Sequence, residues 1–600
     1  MDQQTLPKIF IDQVKEQKSK TFLMYKKGGA WQPVSWKDAG EKVKLITLGL
    51  MALGVEKGDR IAAISETIPD LAYCCTAIAN AGAIFTGIYH TNSPNECAHV
   101  INDSGAKIVF AEDMAQCEKI IESFKKTHPL DKIIVFEDID PGPDHPIMTL
   151  NRLYELGKKE LVNRGDQPYM DRVLSVNPDD ICAIIYTSGT TGPPKGVIDT
   201  NSGIIRNLHE YTTIFPLDEN DRGISFLPMA HALELRNGHW LHIIYGFTQV
   251  YAESIQALFQ NVHETGPTFL FTTPRFFEKH YGNIWASLEK ESKWKRKLVP
   301  WFLDKGARFR DAVDNPKTVR LNFFNRIMYI IADTLFLKGV RNTVGNSIRW
   351  AGAGGAPMAP ELLYFFRSCG IPIYEGYGLT EGQGMISANR PRALKLGTVG
   401  KPMDGVKVKF TGDGEILADG WIKGKGYWNN PEATNELFMN GWINTGDLGE
   451  MDEDGFLRIT GRKKEILITS SGKNISPSYI ENILKMSAFI SQAIVFGEGK
   501  TYLTALVTIN QEEAIGYARK NNITFTDFAD LTKKKEIIDL IHGEIEKKNK
   551  ELARIENIRK FTILENELSQ QREELTPTFK IKRNIITEKY KDKVDAMYDS

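Results

Sequence analysis

The sequence predicts an α/β protein whose main sheet is largely parallel, and two regional patterns support this. From about Val43 to Val135, short apolar runs such as RIAAIS and AKIVFAED alternate with helix-like stretches. Strand-helix repeats of this kind build parallel sheets, because each crossover helix covers one face of the sheet. Beyond Gly405 the pattern changes to short strands separated by turns, which predicts a smaller β-rich subdomain.

The remaining segments predict where this body is interrupted and where it ends. A proline-rich acidic segment, Glu137 to Pro146, is expected to form a surface connection, and the strand-helix pattern resumes at Ile181. Near Gly461 the composition changes to strands, a Gly/Ser turn and basic helical segments. We therefore expect a domain boundary there, with one domain over residues 1–460 and a second over residues 461–600.

Composition limits the classes of function. The chain has 600 residues, 42% of them hydrophobic and 25% charged, with a formal net charge of -1. This balance favours neither nucleic acid nor an anionic membrane as a partner. The N-terminus is too polar for a signal peptide, no run of 18 apolar residues occurs, and the six cysteines form no CxxC pair. We expect a cytoplasmic protein that binds no nucleic acid and touches a membrane only peripherally, at its inner face; the sequence predicts no oligomeric state.

The most informative stretch is YTSGTTGPPKGV, which runs from Tyr186 to Val197 after an apolar run typical of a buried strand. Its hydroxyls, glycines and single lysine suit a polyphosphate, because glycine backbone N–H groups approach an anion closely and the lysine adds positive charge. The glycine spacing differs from that of a P-loop. A turn without a ligand is the alternative. The predicted contacts are Tyr186, Thr187, Ser188, Gly189, Thr190, Thr191, Gly192 and Lys195.

This loop resembles the phosphate loop of the adenylate-forming enzymes, which include acyl-CoA synthetases and luciferases. The family's further motifs follow in its order: AGAGGAPM (351–358), YEGYGLTEG (374–382), GWINTGDLG (441–449), GFLRITGRKKE (455–465) and PTFKIKR (577–583). The resemblance implies a large N-terminal body and a small mobile C-terminal lid of α+β type. It also implies that ATP and Mg²⁺ activate a carboxylate as an acyl-adenylate, which then reacts with CoA.

The resemblance assigns the catalytic positions. Lys580 matches the lid lysine that contacts the α-phosphate and the substrate carboxylate, although on the bare sequence it would be one more surface lysine. Glu381 matches the Mg²⁺ ligand, with Thr380 beside it and Thr187 as a second metal contact. A carboxylate next to a triphosphate requires a bridging cation, which is why a hard metal ion is expected there. The alternative is that Glu381 only favours the first turn of a helix capped by Thr380.

The nucleotide contacts are implied in the same way. Tyr377 corresponds to the aromatic residue that stacks on adenine, Asp447 to the carboxylate that accepts both ribose hydroxyls, and Arg462 to a ribose or phosphate contact. The other expected nucleotide contacts are Gly354, Gly355, Ala356, Glu375, Gly376 and Gly378.

Three further positions concern the acyl channel and the movement of the lid. Lys464 matches the hinge about which the lid rotates, and Gly472, in the loop 471–474, matches the part that lines the pantetheine tunnel. His231, with Glu234 nearby, stands where the family has a gate between acyl pocket and thiol channel, although a structural histidine is the alternative. All three assignments rest on the resemblance.

The substrate class is implied by less universal segments. The stretches 87–113 and 252–281 and the PTFKIKR ending resemble long-chain fatty acyl-CoA synthetases, with features of the bubblegum branch. We therefore expect a long-chain fatty acid:CoA ligase; a fatty acyl-AMP ligase that serves a carrier protein and a non-catalytic fatty-acid or nucleotide-binding protein remain alternatives. Residues 285–320 mix tryptophans with basic residues, which fits either a membrane-surface helix or a solvated helix packed on the body.

Overall fold

The structure, a computed structural model, describes residues 4–123, 126, 128, 130–139, 147–187, 193–289, 291–314, 319–576 and 580–599. Its strands, numbered in chain order, are β1 Thr21–Lys27, β2 Ala30–Ser35, β3 Arg60–Ile64, β4 Ile84–Ile88, β5 Ile108–Ala111, β6 Lys132–Val135, β7 Ile147–Thr149, β8 Ile181–Thr187, β9 Lys195–Thr200, β10 Arg222–Ser225, β11 Thr248–Tyr251, β12 Phe269–Thr272, β13 Trp350–Ala353, β14 Ile373–Leu379, β15 Gly384–Ala388, β16 Lys401–Pro402, β17 Val406–Phe410, β18 Glu415–Gly420, β19 Phe438–Met439, β20 Trp442–Met451, β21 Leu457–Arg462, β22 Leu467–Ile468, β23 Asn474–Ile475, β24 Ile490–Phe496, β25 Leu503–Ile509 and β26 Ile558–Ile563.

The helices, again in chain order, are α1 Leu6–Gln17, α2 Trp36–Ala52, α3 Pro69–Asn80, α4 Pro94–Ser104, α5 Met114–Ser123, α6 Leu150–Arg164, α7 Gln167–Leu174, α8 Asn201–Ile214, α9 Leu241–Tyr245, α10 Leu258–Thr265, α11 Pro274–Glu289, α12 Lys293–Asp314, α13 Phe323–Ala332, α14 Lys338–Val344, α15 Pro360–Ser368, α16 Pro431–Leu437, α17 Pro477–Leu484, α18 Gln511–Lys520, α19 Phe528–Leu531, α20 Lys535–Asn549, α21 Arg583–Lys589 and α22 Lys591–Ala596. The π-helical turns Glu234–Trp240 and Asp333–Leu337 and the 3-10 turn Thr380–Gly382 add to these.

The largest sheet has the strand order β7-β6-β5-β3-β4-β8-β9, and every neighbouring pair is parallel except β8 and β9. Strands such as β5 are buried along their whole length, as expected where helices cover both faces of a parallel sheet. A second sheet, β12-β13-β14-β15-β16, begins parallel and ends antiparallel, and a third has the order β10-β11-β1-β2. The predicted α/β class is confirmed.

The β-rich subdomain and the C-terminal part follow this body. Strands β17, β18, β20 and β19 form an antiparallel sheet to which β21 adds beside β20. Beyond Arg462 the chain enters a separate sheet, β24-β25-β26, with its own core. Helix α20 covers that core through Ile537, Ile541 and Ile545, which recur at intervals of four and lie on one face. The larger N-terminal and smaller C-terminal parts are thus as predicted, and the boundary between residues 460 and 461 stays a prediction.

Among the helices of the described residues, none combines the length and the apolar character that crossing a bilayer requires.

Candidate active site

The predicted phosphate loop joins two antiparallel strands at the edge of the main sheet. Thr187 closes β8 and Lys195 opens β9, and the two residues are register partners. The Thr187 hydroxyl donates a 3.4 Å hydrogen bond to the Lys195 carbonyl. The Lys195 ammonium lies 5.2 Å from the centre of the Tyr427 ring. The predicted contacts Ser188, Gly189, Thr190, Thr191 and Gly192 lie outside the described residues.

Tyr186 differs from its predicted neighbours because its ring lies in the hydrophobic core of the main sheet. Its hydroxyl donates a 2.6 Å hydrogen bond to Asp103. Burial, together with this carboxylate, raises the pKa of Tyr186. The side chain therefore belongs to the core of the main sheet.

The glycine-rich motifs at 351–358 and 374–382 meet where β13 ends beside the first half of β14. A Cβ atom on Gly354 would lie 3.4 Å from the Gly376 carbonyl, so the two backbones are close. Gly355 has φ +83°, a left-handed conformation that favours glycine. Gly355 and Ala356 are exposed. A Cβ on Gly378 would lie 2.5 Å from the Gly384 carbonyl, which explains the glycine in the tight β14–β15 hairpin.

Glu375 is buried beneath this region. One carboxyl oxygen accepts a 3.0 Å hydrogen bond from the Met358 N–H, which ties β14 to the 351–358 loop. The other oxygen has no partner among the described residues. Burial raises the pKa of Glu375 to about 8, and the hydrogen bond from Met358 opposes this only in part. Its side chain thus supports the 351–358 loop from within.

Three residues predicted separately form one hydrogen-bonded group. The Asp447 carboxylate accepts a 2.8 Å hydrogen bond from the Tyr377 hydroxyl on Oδ2 and a 3.0 Å bond from Arg462 Nε on Oδ1. Asp447 and Arg462 are register partners on β20 and β21, which places the guanidinium beside the carboxylate. Burial, with Asp447 next, raises the pKa of Tyr377 far above its usual value, so the phenol keeps its proton. The carboxylate is held in a fixed orientation.

The 3-10 turn that carries Thr380 and Glu381 is held from two sides. Arg236 Nη2 donates a 3.0 Å hydrogen bond to the Thr380 carbonyl, and the same guanidinium makes a bidentate ion pair with buried Asp199 at 2.9 and 2.7 Å. On the other side, the Tyr427 hydroxyl donates a 2.9 Å hydrogen bond to Glu381 Oε1. Glu381 Oε2 has no hydrogen-bond partner among the described residues, so it is available to a cation.

Lys580 reaches this group from the C-terminal domain. Removal from bulk water and the nearby Arg462 guanidinium lower its pKa, while Asp447, Glu381 and Glu465 oppose that shift. The side chain still has solvent-accessible surface because it stands between the two domains and not inside either core. Its backbone is fixed in a turn, where the Lys580 N–H bonds to the Thr576 hydroxyl at 3.0 Å. The Lys580 ammonium therefore interacts electrostatically with both the predicted metal ligand and the predicted ribose ligand.

His231 lies on the body side of the same junction. Burial and the positive charges of Lys580 and Arg236 lower its pKa to about 4, so the imidazole is neutral at physiological pH. Its Nδ1 accepts a 3.2 Å hydrogen bond from the Leu233 N–H. Glu234, by contrast, is buried against Ser225, and burial raises its pKa to about 8. Only His231 of this pair stands beside the predicted reaction centre.

The predicted hinge and tunnel positions are solvent-exposed. Lys464 lies in the turn after β21, immediately after Lys463, whose ammonium pairs with Asp413 at 2.7 Å and Glu415 at 2.8 Å. The linker is thus anchored to the β-rich subdomain just before the predicted hinge. Gly472 has φ +74° in an exposed turn, and nothing lies within 4 Å of the Cβ it lacks.

Two residues at this site were missed by the sequence reasoning, Tyr427 and Arg236. Both act on the Thr380–Glu381 turn from distant parts of the chain, 46 and 144 residues away respectively. Tyr427 lies in the GKGYWNN segment, where two glycines before a pair of aromatic residues were the only available signal. Arg236 lies in a segment with no charge pattern that would have indicated its buried partner.

The chain is similar to known proteins over most of its length. The family model described as AMP-binding enzyme matches residues 10–428, and that of the AMP-binding enzyme C-terminal domain matches residues 464–600. The long-chain-fatty-acid–CoA ligase FadD15 of Mycobacterium bovis is 34% identical over 578 residues, covering 95% of this chain and 93% of the relative. The long-chain-fatty-acid–CoA ligase ACSBG2 of Xenopus laevis is 30% identical over 626 residues, covering 99% and 84%.

Solved structures share the fold at low sequence identity. The anthranilate CoA ligase AuaEII in complex with anthranoyl-AMP superposes with a TM-score of 0.71 at 17% identity, covering 98% of this chain and 97% of that one. The A-PCP didomain of the carboxylic acid reductase from Segniliparus rugosus in complex with AMP gives a TM-score of 0.74 at 19% identity, covering 99% and 82%. Both cover the N-terminal body and the C-terminal domain of this chain.

Proposed function

The chain belongs to the AMP-binding enzyme family, and we propose that it is a ligase that joins long-chain fatty acids to CoA at the expense of ATP. Its first half-reaction forms an acyl-adenylate and its second forms the thioester. The observation that supports this best is the convergence of Lys580, Glu381 and the Asp447–Arg462 pair at one junction between the domains. The six cysteines, all buried and free, fit a reducing cytoplasm.

In the first step, a carboxylate oxygen of the fatty acid attacks the α-phosphorus of ATP, and pyrophosphate leaves. Two anions approach each other, so the step requires positive charge where negative charge accumulates. The Lys580 ammonium supplies that charge from the lid, and Lys195 supplies it from the base of the phosphate loop. Asp447 accepts the ribose hydroxyls, with its orientation set by Tyr377 and Arg462.

Mg²⁺ is part of the proposal because a hard cation reduces the charge of a polyphosphate next to a carboxylate. Glu381 is the expected ligand, since Tyr427 occupies only its Oε1 atom. Among the described residues, no group of three or more His, Cys, Asp and Glu side chains forms a metal site by itself. Phosphate oxygens and the Thr187 hydroxyl would complete the coordination.

In the second step, the thiol sulfur of CoA attacks the acyl carbonyl, and AMP leaves. We propose that the lid turns about Lys464 between the steps, because Lys580 faces the junction while the Gly472 turn faces solvent. Rotation would bring the loop 471–474 to the thiol channel and move Lys580 away from the junction between the domains. His231, which is neutral, would stand between the acyl pocket and that channel.

Incubation of the purified protein with a long-chain fatty acid, ATP and Mg²⁺, with and without CoA, tests this function. We expect pyrophosphate in both reactions, and stoichiometric AMP and acyl-CoA once CoA is present. Acyl-adenylate that persists in the presence of CoA would indicate a ligase that serves a carrier protein. Absence of pyrophosphate release would indicate a non-catalytic protein that only binds fatty acid or nucleotide.

A further inference from the structure

The segment that the sequence marked for membrane contact packs mostly onto the body. Within α12, Phe302 is buried and Trp301 is partly buried against the same core, while the Lys295 ammonium pairs with Glu291 at 2.8 Å. This favours the solvated-helix interpretation of α12, although Trp294 is 63% exposed. The following helix, α13, is the element that presents apolar side chains to solvent.

Six large apolar side chains form an exposed stripe on α13 and the π-helical turn after it. Phe323 is 79% and Leu335 68% exposed, and the intervening members recur at helical spacing on the same face. We call this surface the α13 stripe; its members are Phe323, Phe324, Ile327, Ile330, Ile331 and Leu335. Isolated exposed apolar residues are common, but a contiguous row of this size marks an interaction surface.

The opposite face of this helix is firmly packed, so the exposure of the stripe does not come from a detached helix. Tyr329 stacks on Phe309 with ring centres 3.8 Å apart and an interplanar angle of 4°. Phe336 stacks on Phe302 at 5.6 Å, and Leu337 is fully buried. The helix is therefore anchored on α12 and holds the stripe outward.

Cations border the stripe at both ends. Arg320 and Arg326 at one end and Lys338 at the other are exposed, and their side chains have no ion-pair partner among the described residues. The one acidic residue in 319–342, Asp333, pairs with Arg341 at 2.7 Å. The face thus combines an apolar centre with unneutralised positive charge at its rim.

We propose that the α13 stripe docks on the surface of an anionic lipid bilayer. An amphipathic helix lies in the interface with its apolar side chains below the headgroups and its cations at the lipid phosphates, which is the arrangement of charge and apolar surface here. A second copy of the chain fits less well, because a symmetric contact would bring the arginines and lysine of both copies together without a carboxylate between them. The surface does not depend on the ligase activity, although a long-chain fatty acid also partitions into this phase.

Co-sedimentation with lipid vesicles tests the proposal, using one set that contains phosphatidylglycerol and one of phosphatidylcholine alone. The stripe variant is Ile327→Gln/Ile330→Gln/Leu335→Gln. The matched control is Val162→Gln/Leu174→Gln/Ile255→Gln, which changes residues that are 84%, 62% and 57% exposed elsewhere. A charge variant, Arg326→Gln/Lys338→Gln, separates lipid headgroup attraction from apolar insertion.

We expect the unchanged protein and the control to sediment with anionic vesicles, and the stripe variant to lose about tenfold or more in partition coefficient. The charge variant should lose about tenfold on anionic vesicles, and little on neutral ones. Equal sedimentation of the stripe variant and the unchanged protein would overturn the proposal. So would a vesicle-independent dimer, seen by light scattering, that the stripe variant converts to monomer. Acyl-CoA formation from dispersed fatty acid should be the same in all four proteins, so failure of that assay would count against the ligase and not the surface.

Discussion

The Tyr427 hydroxyl donates a 2.9 Å hydrogen bond to Glu381 Oε1, and the Lys195 ammonium lies over the same ring, 5.2 Å from its centre. One side chain from the β-rich subdomain therefore contacts the proposed metal ligand and the lysine of the phosphate loop. Its backbone is fixed by a β-bridge to Val197 on β9. We infer that Tyr427 positions both groups relative to each other.

Replacing Tyr427 by Phe tests this positioning role. The ring that carries Lys195 is retained, but the donor to Glu381 is lost, so we expect activity to fall about tenfold or more, the scale of a hydrogen bond to a charged group. The loss should be largest at low Mg²⁺ and smaller at high Mg²⁺. Tyr169→Phe, which removes a buried hydroxyl bonded to Asn80, is the control and should keep full activity. A Mg²⁺ dependence unchanged in Tyr427→Phe would refute the role.

Asp447→Asn should chiefly weaken ATP binding. The amide keeps the shape but loses the charge that Arg462 pairs with, and it offers one acceptor oxygen in place of two. We expect the KM for ATP to rise about tenfold or more while kcat changes less, in initial-rate measurements at saturating fatty acid and CoA. The assignment to ribose would be wrong if the KM for ATP stayed at the parental value.

Arg236→Met should destabilise the fold because Asp199, which is fully buried, would lose its ion-pair partner. The expected loss in free energy of unfolding is about 3–5 kcal/mol. The double variant Asp199→Leu/Arg236→Met should recover much of this stability without recovering activity, since the Thr380 carbonyl still lacks its donor. Chemical denaturation and kinetics on the same samples separate the two effects. Full activity in the stable double variant would show that Arg236 is only structural.

Glu375→Gln should change how stability depends on pH. The pKa of Glu375 is raised from 4.5 to about 8 in the folded protein, so the folded state holds a proton that the unfolded chain has lost. The stabilisation from this group is fully present at pH values below the pKa of Glu375 in the unfolded chain. It is lost as pH rises through the folded-state pKa of about 8. Between about pH 6 and about pH 9, the parent should therefore lose roughly 3 kcal/mol more than the variant. Parallel stability profiles would contradict the buried, protonated carboxyl.

Much of the site followed from the sequence because its motifs each occupy a short continuous stretch. Tyr377, Asp447 and Arg462 were assigned one by one, and the structure brings them into one hydrogen-bonded group. Tyr186 was also assigned, but its hydroxyl points to Asp103, because successive residues of a strand face opposite sides and Tyr186, next to last in β8, takes the core side. The motif alone does not settle which side each residue takes.

Tyr427, Arg236 and the α13 stripe were not found from the sequence for a common reason. Each depends on which distant segment lies opposite. Without that information, the sequence shows only a tyrosine after a glycine, an arginine near a histidine and an apolar helix. The run FFNRIMYIIADTLF is apolar on nearly every side, so it predicts burial on both faces. The structure covers one face with α12 and leaves the other exposed.

Lys464→Pro tests the proposed rotation of the lid. A proline ring fixes φ near roughly -65° at the hinge and opposes the backbone change that would present the second lid face. Adenylate should form at close to the parental rate and accumulate in the presence of CoA, as quenched-flow analysis would show. Lys463→Gln, which weakens the neighbouring anchor without restricting φ, is the comparison. Thioester formation at the parental rate in Lys464→Pro would count against the hinge.

We propose that Lys580 acts in adenylation and not in thioester formation. In Lys580→Ala, single-turnover adenylation should slow by about a hundredfold or more, the scale for removing one preorganised stabilising group. Given purified acyl-adenylate and CoA, the same variant should form acyl-CoA at close to the parental rate. Equal damage to the two half-reactions, measured on the same preparation, would contradict the claim.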